Sequence, residues 1–159
     1  LIMKRHICLL ISLALVLCLL VGCQKSNLDN DQNQYRYKTV NNAVEIISYN
    51  NKESTNITVP ETIDGNSVTT LGKDAFYQCK NAVSIILPQT LTTINGSPFY
   101  RCYSLQQIAI PKNVKSIDSN PFFRCSALSM ISVAPENDNF SDVDGVLFNK
   151  EKSIRVINC

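Results

Sequence analysis

Three cysteines, Cys79, Cys102 and Cys125, recur at an interval of 23 residues, and thiols at a fixed interval invite disulfide or metal chemistry. Zinc is disfavoured because no Cys-x-x-Cys pair accompanies them and the single histidine, His6, stands at the far N-terminus. A disulfide is disfavoured on geometry. Equivalent residues of stacked units lie about 5 Å apart, within bridging range, but their side chains point the same way. Three thiols also cannot all pair. They are therefore expected to be small buried apolar groups. Asp142, Asp144 and Gly145, with Glu151 beyond, hint at a calcium loop, yet that register puts apolar Phe140 at the first ligand position. A turn ahead of a hairpin is expected there instead. With His6 the single imidazole in the sequence, a triad or a proton relay at neutral pH has no candidate base beyond the far N-terminus. No catalytic residue, metal or cofactor is expected.

Two sets of positions carry binding chemistry. Tyr77, Tyr100 and Phe123 form an aromatic column at the same 23-residue step, followed by Gln78, Arg101 and Arg124, with Tyr103 close by. Aromatic and Arg side chains are what interface hot spots are made of, although the same rings could serve only to shield a turn. Ser84, Ile86, Gln107, Ala109, Met130 and Ser132 form a small, mostly uncharged set on a strand face, suited to docking a partner or to being plain sheet surface.

What positions these side chains is an internal repeat. Phe76, Phe99 and Phe122 keep the step of 23, as do Ala82, Leu105 and Leu128, then Ile85, Ile108 and Ile131, then Leu87, Ile110 and Val133. An earlier copy (Ile57, Val59, Pro60, Ile63, Leu71, Phe76) fits after an insertion around Asp64-Gly65-Asn66, which belongs in a surface turn. A unit this short cannot close a core alone, so copies must stack and share one. Ile108 and Ile110 inward with Gln107 and Ala109 outward is the period of a short strand, which Pro111 ends by removing a donor. Phe122, Cys125 and Leu128 return to the interior at a spacing of three, as a helical or 3₁₀ turn would.

The N-terminus is a different object. From Ile7 to Val21 every residue except Ser12 is apolar, preceded by Lys4 and Arg5. This run is shorter than the ~20 residues a membrane span needs and reads as an export signal. It ends Leu20-Val21-Gly22-Cys23, then polar Gln24-Lys25-Ser26-Asn27, and resembles the bacterial lipobox, which implies cleavage and diacylglyceryl attachment to Cys23. Two acyl chains suffice for stable anchoring. Residues 23–36 are poor in large apolar groups and are expected to form a disordered tether. Beyond residue 22 basic and acidic side chains are equal, 13 of each, so no basic nucleic-acid footprint is present.

At Leu105, Ile108, Ile110, Pro111, Val114, Ile117, Phe122 and Cys125 the chain resembles the BspA-type leucine-rich repeat, over about Val44 to Cys159. Val44–Tyr49 through Pro60 is similar to that family's opening strands. Residues 137–149 followed by Ile154-Arg155-Val156-Ile157 are similar to its interrupting hairpin. Departures are Pro98 and Pro121 where Ala75 stands, and Ala134 where Pro88 and Pro111 stand.

The expected fold is a mainly β solenoid, with short parallel strands on one face, short helical or 3₁₀ turns on the other, a C-terminal β-hairpin and a helical signal segment. The expected organisation is a signal peptide over 1–22, a tether over 23–36 and a repeat domain of three to four coils over 37–159, truncated at its C-terminus. The resemblance implies a lipid-anchored protein on the outer surface of a bacterial envelope that binds a protein, a host surface or a neighbouring bacterium, without catalysis. A spacer presenting a further domain is the alternative. A glycan-acting enzyme fits less well, because Asp74 and Asp118 are the only acids between Lys73 and Ser132.

Overall fold

Alternation such as Gln107-Ile108-Ala109-Ile110 can bury only one side of a strand, and the protein builds a sheet from successive copies of that pattern. The computed structural model describes residues 32–150. The signal peptide over 1–22, Cys23, residues 24–31 of the expected tether, Glu151, the 154–157 stretch and Cys159 lie outside the described residues.

After a 3₁₀ turn at Gln32–Gln34 come β1 (Tyr35–Val40), β2 (Ala43–Tyr49), β3 (Asn56–Thr58), β4 (Thr62–Ile63), β5 (Asn66–Leu71) and β6 (Ser84–Ile86). They are followed by β7 (Thr93–Ile94), β8 (Gln107–Ile110), β9 (Ser116–Ile117), β10 (Met130–Val133), β11 (Phe140–Val143) and β12 (Val146–Asn149). Strands β3, β6, β8 and β10 form one parallel sheet, in the order β10-β8-β6-β3. A second sheet runs β1-β2-β5-β7-β9, with β4 beside β5. Each coil thus leaves the first sheet at a proline (Pro60, Pro88 or Pro111), crosses the second sheet, and returns through a turn holding the Phe and Cys of the repeat.

The second sheet leaves no mark in the sequence pattern at β7 and β9, which are only two residues long and carry one apolar residue each. The return segment makes i to i+3 bonds of 3₁₀ type, from Cys79 N–H to Phe76 O (3.1 Å) and from Ala82 N–H to Cys79 O (3.2 Å), repeated in the next two coils. It stays a turn because Gln78, Arg101 and Arg124 take left-handed φ values of 58°, 63° and 63°. Those residues hold the coils together as well: Gln78 N–H donates to Tyr100 O and Arg101 N–H to Phe123 O.

Between the sheets Phe76, Phe99 and Phe122 stack with centroids 5.6 and 5.1 Å apart and interplanar angles of 7° and 12°. Tyr49 and Tyr35 continue the row at the N-terminal end. Of the segment expected as a tether, Gln32–Gln34 form the 3₁₀ turn and Tyr35 and Arg36 open β1; Tyr35 is buried, and its hydroxyl donates to Thr58 O at 3.1 Å. At the other end β11 and β12 form the expected hairpin. Its tip is Asp144-Gly145, with φ of 52° and 78° as a type I′ turn requires, so these residues turn the hairpin itself rather than precede it. The hairpin covers the edge of β10, where Gly145 O accepts from Ile131 N–H (3.1 Å) and the Asp142 carboxylate from Val133 N–H (2.8 Å). Asn137, buried beside it, donates to Pro111 O and Val114 O and accepts from the N–H groups of Asn139 and Phe140.

Candidate binding surfaces

The parallel register of the four-stranded sheet turns the sequence columns into rows. Asn56, Ser84, Gln107 and Met130 align in one row, and Thr58, Ile86, Ala109 and Ser132 in the next. Strand periodicity sends all eight outward, because Ile57, Ile85, Ile108 and Ile131 between them are buried. The six strand-face residues expected from sequence are therefore brought together on one surface. Asn56 and Thr58 extend it; aligning Ile57 with the later isoleucines would have found them. No side chain in either row is charged. Two are large and apolar, Ile86 at 58% exposure and Met130 at 54%. The surface opens into a groove of about 700 Å³, floored by Ser84, Ile86, Gln107, Ala109 and Met130 and bounded on the proline side by Pro111 and Pro135. A groove of this composition offers apolar contact and neutral hydrogen bonding, and gives no basis for selecting a charged ligand.

The aromatic column lies on the turn edge. Tyr77, Tyr100 and Phe123 stack with centroids 5.6 Å apart at each step. Phe123 is the most exposed at 53%, Tyr77 and Tyr103 sit near 36–38%, and Tyr100 is half-buried between its neighbours. The Arg101 guanidinium lies over Tyr100 at 5.1 Å and that of Arg124 over Phe123 at 5.8 Å. The expected column thus exists, but its inner ring faces are used by the rings themselves.

Cys79, Cys102 and Cys125 are buried, and among the described residues none of them is in a disulfide. Cys102 Sγ donates to Phe76 O (3.2 Å) and Cys125 Sγ to Phe99 O (3.0 Å), one coil back in each case. Cys79 opens the column. Its thiol is held below the ordinary value, first by the neighbouring Cys102 thiol and then by the ammonium of Lys52 at 3.7 Å, against the effect of burial. The same contact between the two thiols, with burial, pushes Cys102 well above its ordinary value. Among the described residues no group of three His, Cys, Asp or Glu is placed to hold a metal ion, and Asp142 is engaged by Val133 N–H. No helix among them is long and apolar enough to cross a membrane.

The sequence profile described as "BspA type Leucine rich repeat region" matches residues 42–159 in six copies. The crystal structure of the pneumococcal vaccine antigen PcpA is similar in fold, with a TM-score of 0.54 at 15% identity, over 78% of this chain and 54% of that one. The chain thus spans about half the length of that structure. A leucine-rich repeat protein from Bacteroides capillosus gives 0.46 at 20% identity, covering 64% of this chain and 94% of that one. The leucine-rich repeat protein of T. pallidum gives 0.38 at 20% identity, covering 62% and 68%. No curated protein matches the chain.

Proposed function

Because the chain belongs to the BspA-type leucine-rich repeat family, we propose that it is a bacterial cell-surface protein that docks a protein partner on the outward face of its four-stranded sheet. In this reading residues 1–22 direct export, Cys23 carries the diacylglyceryl anchor, and the residues after it join that anchor to the repeat domain. The observation that carries the docking role is the uncharged groove with Ile86 and Met130 standing from it. Two large apolar side chains amid small polar neighbours form an anchor-and-rim arrangement of the kind from which hot spots are built. Repetition makes the surface extensible, since each added coil contributes one more outward pair. Binding, not catalysis, is the role proposed.

The test is retention of surface proteins from host-cell and bacterial extracts by the immobilised chain, wild type against Ala109→Glu. A carboxylate in the middle of the groove is expected to abolish retention of any specific partner without disturbing the core, since Ala109 is exposed. Identical retention by both chains would overturn the assignment of the groove. In the second reading, favoured by the stacked rings and their arginines, the turn edge makes the contact. A Tyr77, Tyr100 and Arg101 triple alanine variant would then lose retention instead.

A further inference from the structure

The turn edge has a chemistry unlike that of the groove. In the three return segments, 73–82, 97–105 and 120–128, the charged residues are Lys73, Asp74, Lys80, Arg101 and Arg124. Lys73 and Asp74 pair with each other at 4.0 Å. No ion pair among the described residues engages Lys80, Arg101 or Arg124, in a described region (32–150) whose acidic and basic side chains are equal in number. We propose that this edge is a second binding site, for a linear polyanionic glycan carrying sulfate or carboxylate groups along its chain.

Four observations bear on that ligand. First, Arg101 and Arg124 are each held over a ring, which limits the rotamer freedom lost when the planar fork takes a sulfate or carboxylate. Second, Arg101 Nε is buried with no hydrogen-bond partner among the described residues, and no ion pair among them occupies either guanidinium. Third, both arginines stand at φ of 63°, where Gly or Asn is accommodated with less strain. Gln78 takes the same conformation in the preceding coil, so the turn sets where each of these side chains leaves the edge. Fourth, Arg101 and Arg124 are equivalents one coil apart, so their backbones are separated by about 4.8 Å, the strand spacing. A site that repeats by translation suits a ligand whose charges repeat by translation.

Other polyanions fit less well. Carboxylates on a folded protein do not recur at the coil interval. Single-stranded nucleic acid needs open ring faces for its bases to stack on, and along this column the rings face one another at 5.6 Å, leaving mainly edges. Sugar hydroxyls can instead use the Tyr103 hydroxyl and the Gln78 amide beside the rings. At the Tyr77 end a depression of about 360 Å³ extends the footprint, lined by Lys52 and Lys80 with Gln78 and one acid, Glu53, whose carboxylate accepts from the Asn81 amide at 2.8 Å.

The experiment uses the full chain with immobilised heparin, neutral dextran, poly-L-glutamate and oligodeoxythymidine as probes. Heparin is expected to bind, with affinity falling as salt rises, and dextran is not. Arg101→Asn with Arg124→Asn is expected to weaken heparin binding at least tenfold while the melting temperature holds or rises, because Asn tolerates the left-handed backbone. Arg101→Lys with Arg124→Lys, which keeps the charge and removes the fork, is expected to recover only part of the affinity. Lys112→Ala with Lys115→Ala removes equal charge outside the return segments and is expected to leave binding within twofold. An asparagine variant that still binds within twofold of wild type would overturn the proposal. So would an equal loss in the lysine-to-alanine pair, or binding of poly-L-glutamate or oligodeoxythymidine as tight as that of heparin.

Discussion

Phe99→Ala puts the shared core to a quantitative test. Phe99 is fully buried and is the middle ring of three, with Phe76 at 5.6 Å on one side and Phe122 at 5.1 Å on the other. Truncating a buried Phe costs about 3–5 kcal/mol, and loss of two stacked contacts places this case toward ~5 kcal/mol. Collapse of the gap is resisted on both sides, because adjacent coils are tied by backbone bonds such as Phe76 N–H to Pro98 O and Phe99 N–H to Pro121 O. A domain of this size has a total stability of about 6–18 kcal/mol, so the variant still folds, with a large fall in its urea midpoint. The assay is urea unfolding followed by far-ultraviolet circular dichroism, with Phe123→Ala as comparator. Phe123 is the same residue type one coil on and one position over, and it points outward at 53% exposure. Its loss is expected to cost under about 1 kcal/mol. Equal costs for the two variants, or less than about 1 kcal/mol for Phe99→Ala, would refute the stacked-coil core.

Asn137→Ala removes the partner of two buried carbonyls and two amides at once, and is expected to cost about 2–4 kcal/mol by urea unfolding. Glu61 has its pKa pushed up by burial but pulled further down by the N–H groups of Gln89 and Thr90, so its net position is below the ordinary carboxylate value. Its contribution is therefore present above the unfolded pKa and lost as pH falls through the folded one. Glu61→Gln is expected to flatten the loss of thermal stability below about pH 4.5, the ordinary value, by a small amount because the group is largely exposed. Cys23→Ser is expected to move the protein from the detergent phase to the aqueous phase on Triton X-114 partitioning; unchanged partitioning would refute lipid attachment at Cys23.

The sequence made the ladder legible because its side chains repeat by identity. Phe76, Phe99 and Phe122, the cysteines and the isoleucines each occupy one interval, and a common interval in a unit too small to fold alone leaves stacking as the solution. The second sheet was hidden because Thr93–Ile94 and Ser116–Ile117 are too short to show any period; they become strands only when their neighbours align. Tyr35 sits in a polar stretch, and its burial comes from pairing with Tyr49 and bonding to Thr58, contacts that local composition does not encode. Asn137 is polar and would be assigned to the surface; it is buried because the last turn needs one side chain to serve four backbone groups. The left-handed residues gave no warning, since Gln and Arg are not the types that favour that conformation. Of the binding surfaces, the column of each side chain could be read from sequence. Which columns share a face could not, because that depends on the register between coils.

The most direct test of the docking role is site-specific photocrosslinking from the surface of the full chain. A benzophenone side chain at Gln107, on the four-stranded sheet, is compared with one at Thr93, on the second sheet, in the presence of bacterial and host surface proteins. A discrete adduct at Gln107, absent at Thr93 and lost with Ala109→Glu, is the result expected. Adducts of equal yield from both positions, or from Thr93 alone, would contradict the docking surface.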